Sequence, residues 1–171
     1  MKITFVDTDV SVARALEEEF RRFPEVTVLH GDLLKIAHNC VVSPANSYGF
    51  MDGGIDRDYA TFFGPPLQQK IAAIIASRPE GYLPLGASTL ISTGHSQIPF
   101  LILAPTMITP EFIPPDNVYR AMRAVLRLTV QHADDLKHLF SPALGTGVGG
   151  LSPEISAASM AEAYRDFIAA R

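Results

Sequence analysis

The sequence is poor in features that mark whole classes of protein. Cys40 is its single cysteine, so no internal disulfide can form, and this composition is typical of a reducing compartment. No apolar stretch approaches the ~18 residues that cross a bilayer. Residues 1–7 lack the apolar core of a signal peptide. We therefore expect a cytoplasmic protein without a membrane partner.

Basic residues are also scarce. Lys and Arg number 14 against 18 Asp and Glu, which gives a net charge of −4. Proteins that bind nucleic acid generally carry a basic patch, so this balance argues against a general nucleic-acid binder. A small anionic ligand remains compatible, because backbone N–H groups can hold it without adding charge. The five histidines lack the close spacing of metal ligands, and we expect neither a metal nor another cofactor.

Strand-like and helix-like segments alternate along the chain. Six apolar strings have strand length, at residues 2–6, 26–30, 40–43, 87–92, 100–104 and 137–141. Several of them are apolar throughout, which is typical of strands buried on both faces. The pattern predicts an α/β protein whose mixed or mainly parallel sheet is covered by helices on both sides. A length of 171 residues fits one domain better than two.

A glycine-rich loop follows the third strand, from Asn46 to Ile55. Its glycines, Gly53 and Gly54, permit backbone angles denied to other residues and let a ligand approach the main chain closely. Asn46 offers an amide that can donate to and accept from sugar hydroxyls, and Asp56 offers a carboxylate just beyond the glycines. Each side chain also has a purely structural interpretation, as an Asx turn for Asn46 and as a helix N-cap for Asp56.

A second glycine-rich loop follows the sixth strand, from Gly145 to Gly150. Four glycines in six residues cannot pack a core, but they can form a nest of N–H groups around a diphosphate. The spacing is not that of a Walker A loop or of the dinucleotide fingerprint, and a tight turn is the structural alternative. Because both loops directly follow strands, both are expected at the carboxyl edge of the sheet, where such sheets bind ligands.

Together the two loops resemble the macrodomain family. That family carries a strand ending in Gly-Asp-Ile-Thr, a strand ending in Asn-Ala-Ala-Asn, a glycine run closing with Val-Asp, and later a Ser-Thr-Gly phosphate loop. This chain has Gly31 to Leu34, then Ser43 to Asn46, with Asp56 at the family's spacing and a glycine loop from Gly145. The resemblance implies a three-layer α/β/α fold around a central mixed, mainly parallel six-stranded sheet, formed by residues 1–171 as a single macrodomain.

The resemblance also implies ADP-ribose as the ligand and a role for each matching residue. Asp32 would accept a hydrogen bond from the adenine amino group. Asn46 and Asp56 would be catalytic, with Asn46 holding the distal ribose and Asp56 beside its anomeric carbon. Backbone groups of the glycine loops would hold the diphosphate. The implied ligand-binding residues are Asp32, Ala45, Asn46, Gly53, Gly54, Ile55, Gly145, Thr146, Gly147, Val148 and Gly149.

The chain departs from the family's pattern at two points. Met51 and Asp52 stand where the family often has glycine, which adds a carboxylate near an anionic ligand and bears on hydrolysis more than on binding. Val148 or Leu151 stands where many relatives place an aromatic residue against the distal ribose.

Three functions stay open. One is a hydrolase that removes ADP-ribose from protein, nucleic acid or O-acetyl-ADP-ribose, for which Asp56 supplies the necessary carboxylate. The second is a module that recognises ADP-ribose without turnover, which needs only the loops. The third is a binder of another NAD-derived nucleotide or of RNA, although the acidic charge argues against RNA. Partners would be ADP-ribose or an ADP-ribosylated substrate, and the sequence does not indicate an oligomeric state.

The N-terminal segment suggests a rearranged order of elements. Family members commonly end with an apolar strand followed by a helix, whereas here a similar strand, Lys2 to Val6, and a helix come first. We expect a circularly permuted macrodomain, which chain ends lying close together would permit. Lys2 to Val6 would then be a central strand between residues 26–30 and 137–141, and residues 7–9 would lie beside Asp32. The alternative is an added edge unit packed outside a truncated domain.

Overall fold

Strands and helices alternate through residues 1–171, which the computed structural model describes. The strands are β1 (Lys2–Asp7), β2 (Val26–His30), β3 (Cys40–Ser43), β4 (Thr89–Ser92), β5 (Phe100–Leu103) and β6 (His138–Ser141). The helices are α1 (Val10–Phe20), α2 (Leu33–Ile36), α3 (Gly54–Phe63), α4 (Pro65–Ser77), α5 (Pro115–Gln131) and α6 (Pro153–Ala169). None of these helices is long and apolar enough to cross a membrane.

The strands form one sheet in the order β2-β1-β6-β3-β5-β4. Only the edge strand β4 runs antiparallel to its neighbour. The expected mixed, mainly parallel six-stranded sheet is therefore confirmed. β1 pairs in parallel with β2 on one side and with β6 on the other, so the predicted central position is confirmed and the added outer unit is wrong. The circular permutation itself stays a prediction.

Each face of the sheet is covered by its own layer of helices. Neighbouring residues of a strand point to opposite faces, so Phe5 is buried with α1, α5 and α6, whereas Val6 is buried with α3 and α4. The Phe5 ring centroid lies 4.6 Å from that of Phe20 in α1. Burial of a large apolar side chain contributes about 1.5–3 kcal/mol. This packing fixes the helices on the sheet and holds the strand ends in place.

The start of α3 differs from the sequence-based expectation. The helix begins at Gly54, and Gly53 occupies the N-cap position. The interpretation of Asp56 as an N-cap is therefore wrong. α3 ends at Gly64, which adopts a φ of 77°. Pro65 then begins α4, where its missing N–H is not needed.

The parallel strands bring five loops to one edge of the sheet. β1, β2, β3, β5 and β6 all end there, since each is parallel to its neighbour in this set. The two glycine-rich loops follow β3 and β6, which pair directly with each other. The two glycine-rich loops, which are about a hundred positions apart in the sequence, are therefore adjacent at the edge where such sheets bind ligands.

Candidate functional site

A cavity of about 830 Å³ opens at the carboxyl edge of the sheet. Its walls come from the segments that follow β1, β2, β3 and β6, together with the loop after β5. The residues proposed from the sequence that line it are Asp32, Asn46, Gly53, Gly54, Ile55, Asp56, Gly145, Thr146, Gly147, Val148 and Gly149. Ala45 does not line it. That residue is buried beneath, where its carbonyl oxygen accepts a hydrogen bond from Thr106 N.

The second glycine loop presents a row of unused donors to the cavity. None of the backbone N–H groups from Gly145 to Gly149 donates a hydrogen bond within the chain, and all five residues line the cavity. The loop is closed by bonds from Gly150 N to Gly147 O at 3.1 Å and from Leu151 N to Gly145 O at 3.0 Å. Five free donors on a closed loop form a nest suited to phosphate oxygens.

The first glycine loop adds a helix terminus to the same wall. α3 begins with no side-chain cap, so the first N–H groups of the helix remain available. A helix N-terminus of this kind attracts anions. A methyl group placed on Gly53 would lie only 3.5 Å from Val148 Cγ2, so the two glycine loops face each other at close range. A diphosphate between them would meet N–H donors from both sides.

The side-chain amide of Asn46 makes most of its hydrogen bonds within its own loop. Its Oδ1 accepts from Tyr48 N at 3.1 Å and from Phe50 N at 3.3 Å, and its Nδ2 donates to Phe50 O at 2.8 Å. The side chain is only 6% exposed. The Asx-turn interpretation therefore describes this loop, and one amide N–H of Asn46 remains for a ligand.

Asp56 is a buried carboxyl group at the floor of the cavity. It is 7% exposed, and its Oδ1 accepts a hydrogen bond of 2.6 Å from the hydroxyl of Ser43, the last residue of β3. Burial raises the pKa of Asp56 to about 7, helped by the nearby charge of Asp52 and opposed by the Ser43 hydrogen bond. A carboxyl group that titrates near neutral pH can both accept and release a proton.

Two further carboxylates, Asp7 and Asp32, stand over β1 and β2. Asp32 caps α2, since its Oδ1 accepts from Leu34 N at 3.0 Å, and its Oδ2 lies 3.7 Å from Lys35 Nζ. Asp7 ends β1, and its Oδ1 accepts from Asp9 N at 3.0 Å. Burial raises the pKa of Asp7. Both residues line the cavity. Asp7 therefore lies in the same wall as Asp32, as we expected for residues 7–9.

Sequence reasoning missed two features of the site, the loop after β5 and the hydrogen bond from Ser43 to Asp56. Thr106, Met107 and Pro110 come from the loop after β5, which folds over Asn46 through a bridge between Asn46 and Met107. Ser43 was read only as part of a motif, although a hydroxyl at a strand end beside a carboxylate could have been noticed. Phe62 lines the cavity from α3 and is 40% exposed.

Comparison with known proteins agrees with this geometry. A sequence model of the family described as Macro domain matches residues 42–160. The chain belongs to the macrodomain family. A relative from Aquifex aeolicus, named only as an uncharacterized protein, is 30% identical over 84% of this chain and 82% of its own length. The matched residues contain both glycine loops of this macrodomain.

Solved macrodomains share the fold. The macrodomain of Mycobacterium tuberculosis DarG superposes with a TM-score of 0.69 at 21% identity, over 81% of this chain and 88% of its own. The Oceanobacillus iheyensis macrodomain with ADP gives a TM-score of 0.69 at 22% identity, over 82% and 75% of the two chains. The latter protein has also been solved as a glycine-to-valine mutant with ADPR. The three-layer architecture of this macrodomain is thus the one that the sequence predicted.

Proposed function

We propose that this macrodomain binds ADP-ribose in the cavity and hydrolyses ADP-ribosyl linkages on protein, nucleic acid or O-acetyl-ADP-ribose. The observation that carries the binding is the row of free N–H groups from Gly145 to Gly149, which faces the uncapped N-terminus of α3. Membership of the family and the ADP and ADPR complexes of the Oceanobacillus macrodomain support the same ligand.

The charges of the wall orient the ligand. A diphosphate is drawn to the two glycine loops and repelled by the carboxylates of Asp7 and Asp32. The adenosine half therefore extends over β1 and β2, where Asp32 accepts from the adenine amino group. The distal ribose turns the other way, towards Asn46 and Asp56, which both line the cavity. This placement gives each side chain the role that its chemistry suits.

Hydrolysis then uses Asp56 as the acid–base group. The ionised carboxylate takes a proton from a water molecule, whose oxygen bonds to the anomeric carbon of the distal ribose. In modified protein or nucleic acid the bond from that carbon to the attached group breaks, and Asp56 returns the proton to the leaving atom. In O-acetyl-ADP-ribose the water oxygen bonds instead to the acetyl carbonyl carbon, the bond from that carbon to the ribose oxygen breaks, and Asp56 returns the proton to that oxygen. Its pKa of about 7 suits both halves of this exchange near neutral pH. The free amide N–H of Asn46 holds a ribose hydroxyl during the step.

The second candidate is a module that recognises ADP-ribose without turnover. Two observations favour it. The Asn46 oxygen is already committed to Tyr48 N and Phe50 N. Asp52 also lines the cavity and adds negative charge beside Asp56.

Two measurements on the intact protein test the proposal. Calorimetric titration with ADP-ribose, AMP and NAD should show ADP-ribose as the tightest ligand, because it alone fills both the diphosphate nest and the distal end without a nicotinamide. Release of ADP-ribose from modified protein, modified nucleic acid and O-acetyl-ADP-ribose then tests turnover. Tight binding of ADP-ribose without its release from any of the three substrates would show that the protein is a recognition module rather than a hydrolase. Absence of ADP-ribose binding would contradict both functions.

A further inference from the structure

One carboxylate of the cavity wall has a position that the proposed reaction does not use. Asp7 is the last residue of β1 and pairs in register with His30, the last residue of β2. Its carbonyl oxygen accepts from Gly31 N at 2.9 Å, directly before Asp32. On its other side β1 pairs with β6, whose end leads into the second glycine loop. Asp7 therefore stands between Asp32 and the phosphate nest.

The order of the strands predicts the order in which the parts of the ligand lie along the cavity. Adjacent strands lie about 4.8 Å apart, so the ends of β2, β1 and β6 present three successive positions along the cavity. In the ligand orientation proposed above, on which this inference rests, the diphosphate lies after β6 and the adenine lies after β2. The ribose that joins them is then over β1. Its hydroxyl groups face the carboxylate of Asp7.

The Asp7 carboxylate has no cationic partner in the chain, although backbone N–H groups of Asp9, Ala143 and Thr8 stabilise its charge. One oxygen accepts from Asp9 N, and no Lys, Arg or His forms a salt bridge with it. A carboxylate in such a position accepts hydrogen bonds from ribose hydroxyls and repels a phosphate group. Dinucleotide-binding folds use the same chemistry, with an acidic residue for a 2′-hydroxyl and an arginine for a 2′-phosphate.

We propose that Asp7 is a specificity residue that accepts a hydrogen bond from the adenosine ribose and excludes ligands phosphorylated at its 2′ position. The macrodomain would thereby select ADP-ribose that derives from NAD over the 2′-phosphorylated form that derives from NADP. Lys35 is the only Lys or Arg that lines the cavity, and its Nζ lies 3.7 Å from Asp32 Oδ2 rather than beside Asp7.

The ratio of two dissociation constants tests this proposal. Calorimetry at about pH 8, well above the ordinary carboxyl range, would compare ADP-ribose with 2′-phospho-ADP-ribose. We expect the phosphorylated ligand to bind the wild type at least ~10-fold more weakly. It loses the hydrogen bond from the 2′-hydroxyl to the charged carboxylate of Asp7, and its phosphate is repelled by that carboxylate. Asp7→Asn, which keeps the size of the side chain, should bring the ratio close to one.

Two matched variants separate selection from a general loss of affinity. Asp9→Asn changes an exposed carboxylate outside the cavity, keeps a good N-cap residue and should leave the ratio unchanged. Asp32→Asn should weaken both ligands to the same extent, because the adenine is common to them. A role of Asp7 in folding alone would also lower both affinities together and would leave the ratio unaltered.

A measurement on the wild type covers the case in which Asp7→Asn does not fold. ADP-ribose that lacks the adenosine 2′-hydroxyl should bind roughly 10-fold more weakly than ADP-ribose, since one hydrogen bond to a charged acceptor is lost. Equal binding of all three ligands by the wild type would overturn the role of Asp7 and leave ADP-ribose recognition intact. Failure of ADP-ribose itself to bind would overturn the proposed function as well.

Discussion

The two glycine loops face each other but are built on different principles. The loop after β3 is held by side chains, since Asn46 ties down Tyr48 and Phe50 and Gln68 Oε1 accepts from Met51 N. The loop after β6 is closed by its own backbone and leaves its N–H groups free. The first loop therefore positions chemical groups, above all Asp56. The second offers a surface for phosphate and little else.

The largest expected effect comes from obstructing the second loop. A Cβ on Gly147 would meet no atom within 4 Å, and this glycine does not have a positive φ. Gly147→Val should therefore fold, yet its side chain would enter the space proposed for the diphosphate. We expect the dissociation constant for ADP-ribose to rise at least ~100-fold, the loss of about 2.7 kcal/mol, measured by calorimetry with thermal unfolding as the check of the fold.

A neighbouring substitution sharpens this test. Thr146→Val changes the side chain of the same loop but keeps its backbone N–H. If the backbone holds the phosphates, this variant should bind ADP-ribose like the wild type. Unchanged affinity of a folded Gly147→Val protein would contradict the placement of the diphosphate.

Removal of the carboxylate in the first loop should separate turnover from binding. Asp56→Asn preserves the size of the buried group and an acceptor for the Ser43 hydroxyl. Loss of a positioned acid–base group lowers the rate by at least ~100-fold, while the dissociation constant of ADP-ribose should change little. Release of ADP-ribose under single-turnover conditions gives the rate, and calorimetry gives the affinity. Asp52→Asn is the comparison, because it removes only a neighbouring exposed charge that helps raise the pKa of Asp56 and keeps the Asp56 carboxylate, so it should lower the rate far less.

Asn46 should couple stability to function, in contrast with Gly147. Asn46→Ala removes the hydrogen bonds from Tyr48 N and Phe50 N, each of which contributes about 0.5–1.5 kcal/mol to the free energy of unfolding. The loosened loop should also lower turnover, by roughly 10-fold. Urea unfolding and the release assay measure the two effects.

The opposite end of the sheet offers a control for this substitution. Asn39 uses its amide in the same way, accepting from Lys137 N and His138 N, but it lies far from the cavity lining. Asn39→Ala should lose at least as much stability, because its φ of 63° disfavours alanine, and should retain turnover. Equal loss of turnover in both variants would show that Asn46 acts only through the fold.

The same contrast explains what could be predicted from the sequence. Apolar strings marked the strands, because strands covered on both faces must be apolar throughout. Glycine density marked both loops, because it is visible without knowledge of contacts. α2 was missed, since four residues are too few to show a helical period. The bond from Ser43 to Asp56 and the fold of the loop after β5 over Asn46 depend on tertiary packing, which no local pattern records.

The smallest expected effect is a shift in pH dependence, and it concerns how the sheet tunes the first loop. Ser43 donates to Asp56 and thereby lowers a pKa that burial has raised to about 7. If the ionised carboxylate is the base, turnover should increase with pH through this value. In Ser43→Ala the stabilising donor is lost, so the pKa of Asp56 should increase and the midpoint of the rate–pH profile should move upward with it. Turnover would then be lower than in the wild type near pH 7 and would recover at higher pH.

Ser141 provides the matched control, because it is the equally buried last residue of the adjacent strand β6 and donates to Pro142 O instead. Ser141→Ala should leave the midpoint in place, whereas a uniform loss of rate at every pH in Ser43→Ala would show that Ser43 positions Asp56 without setting its pKa.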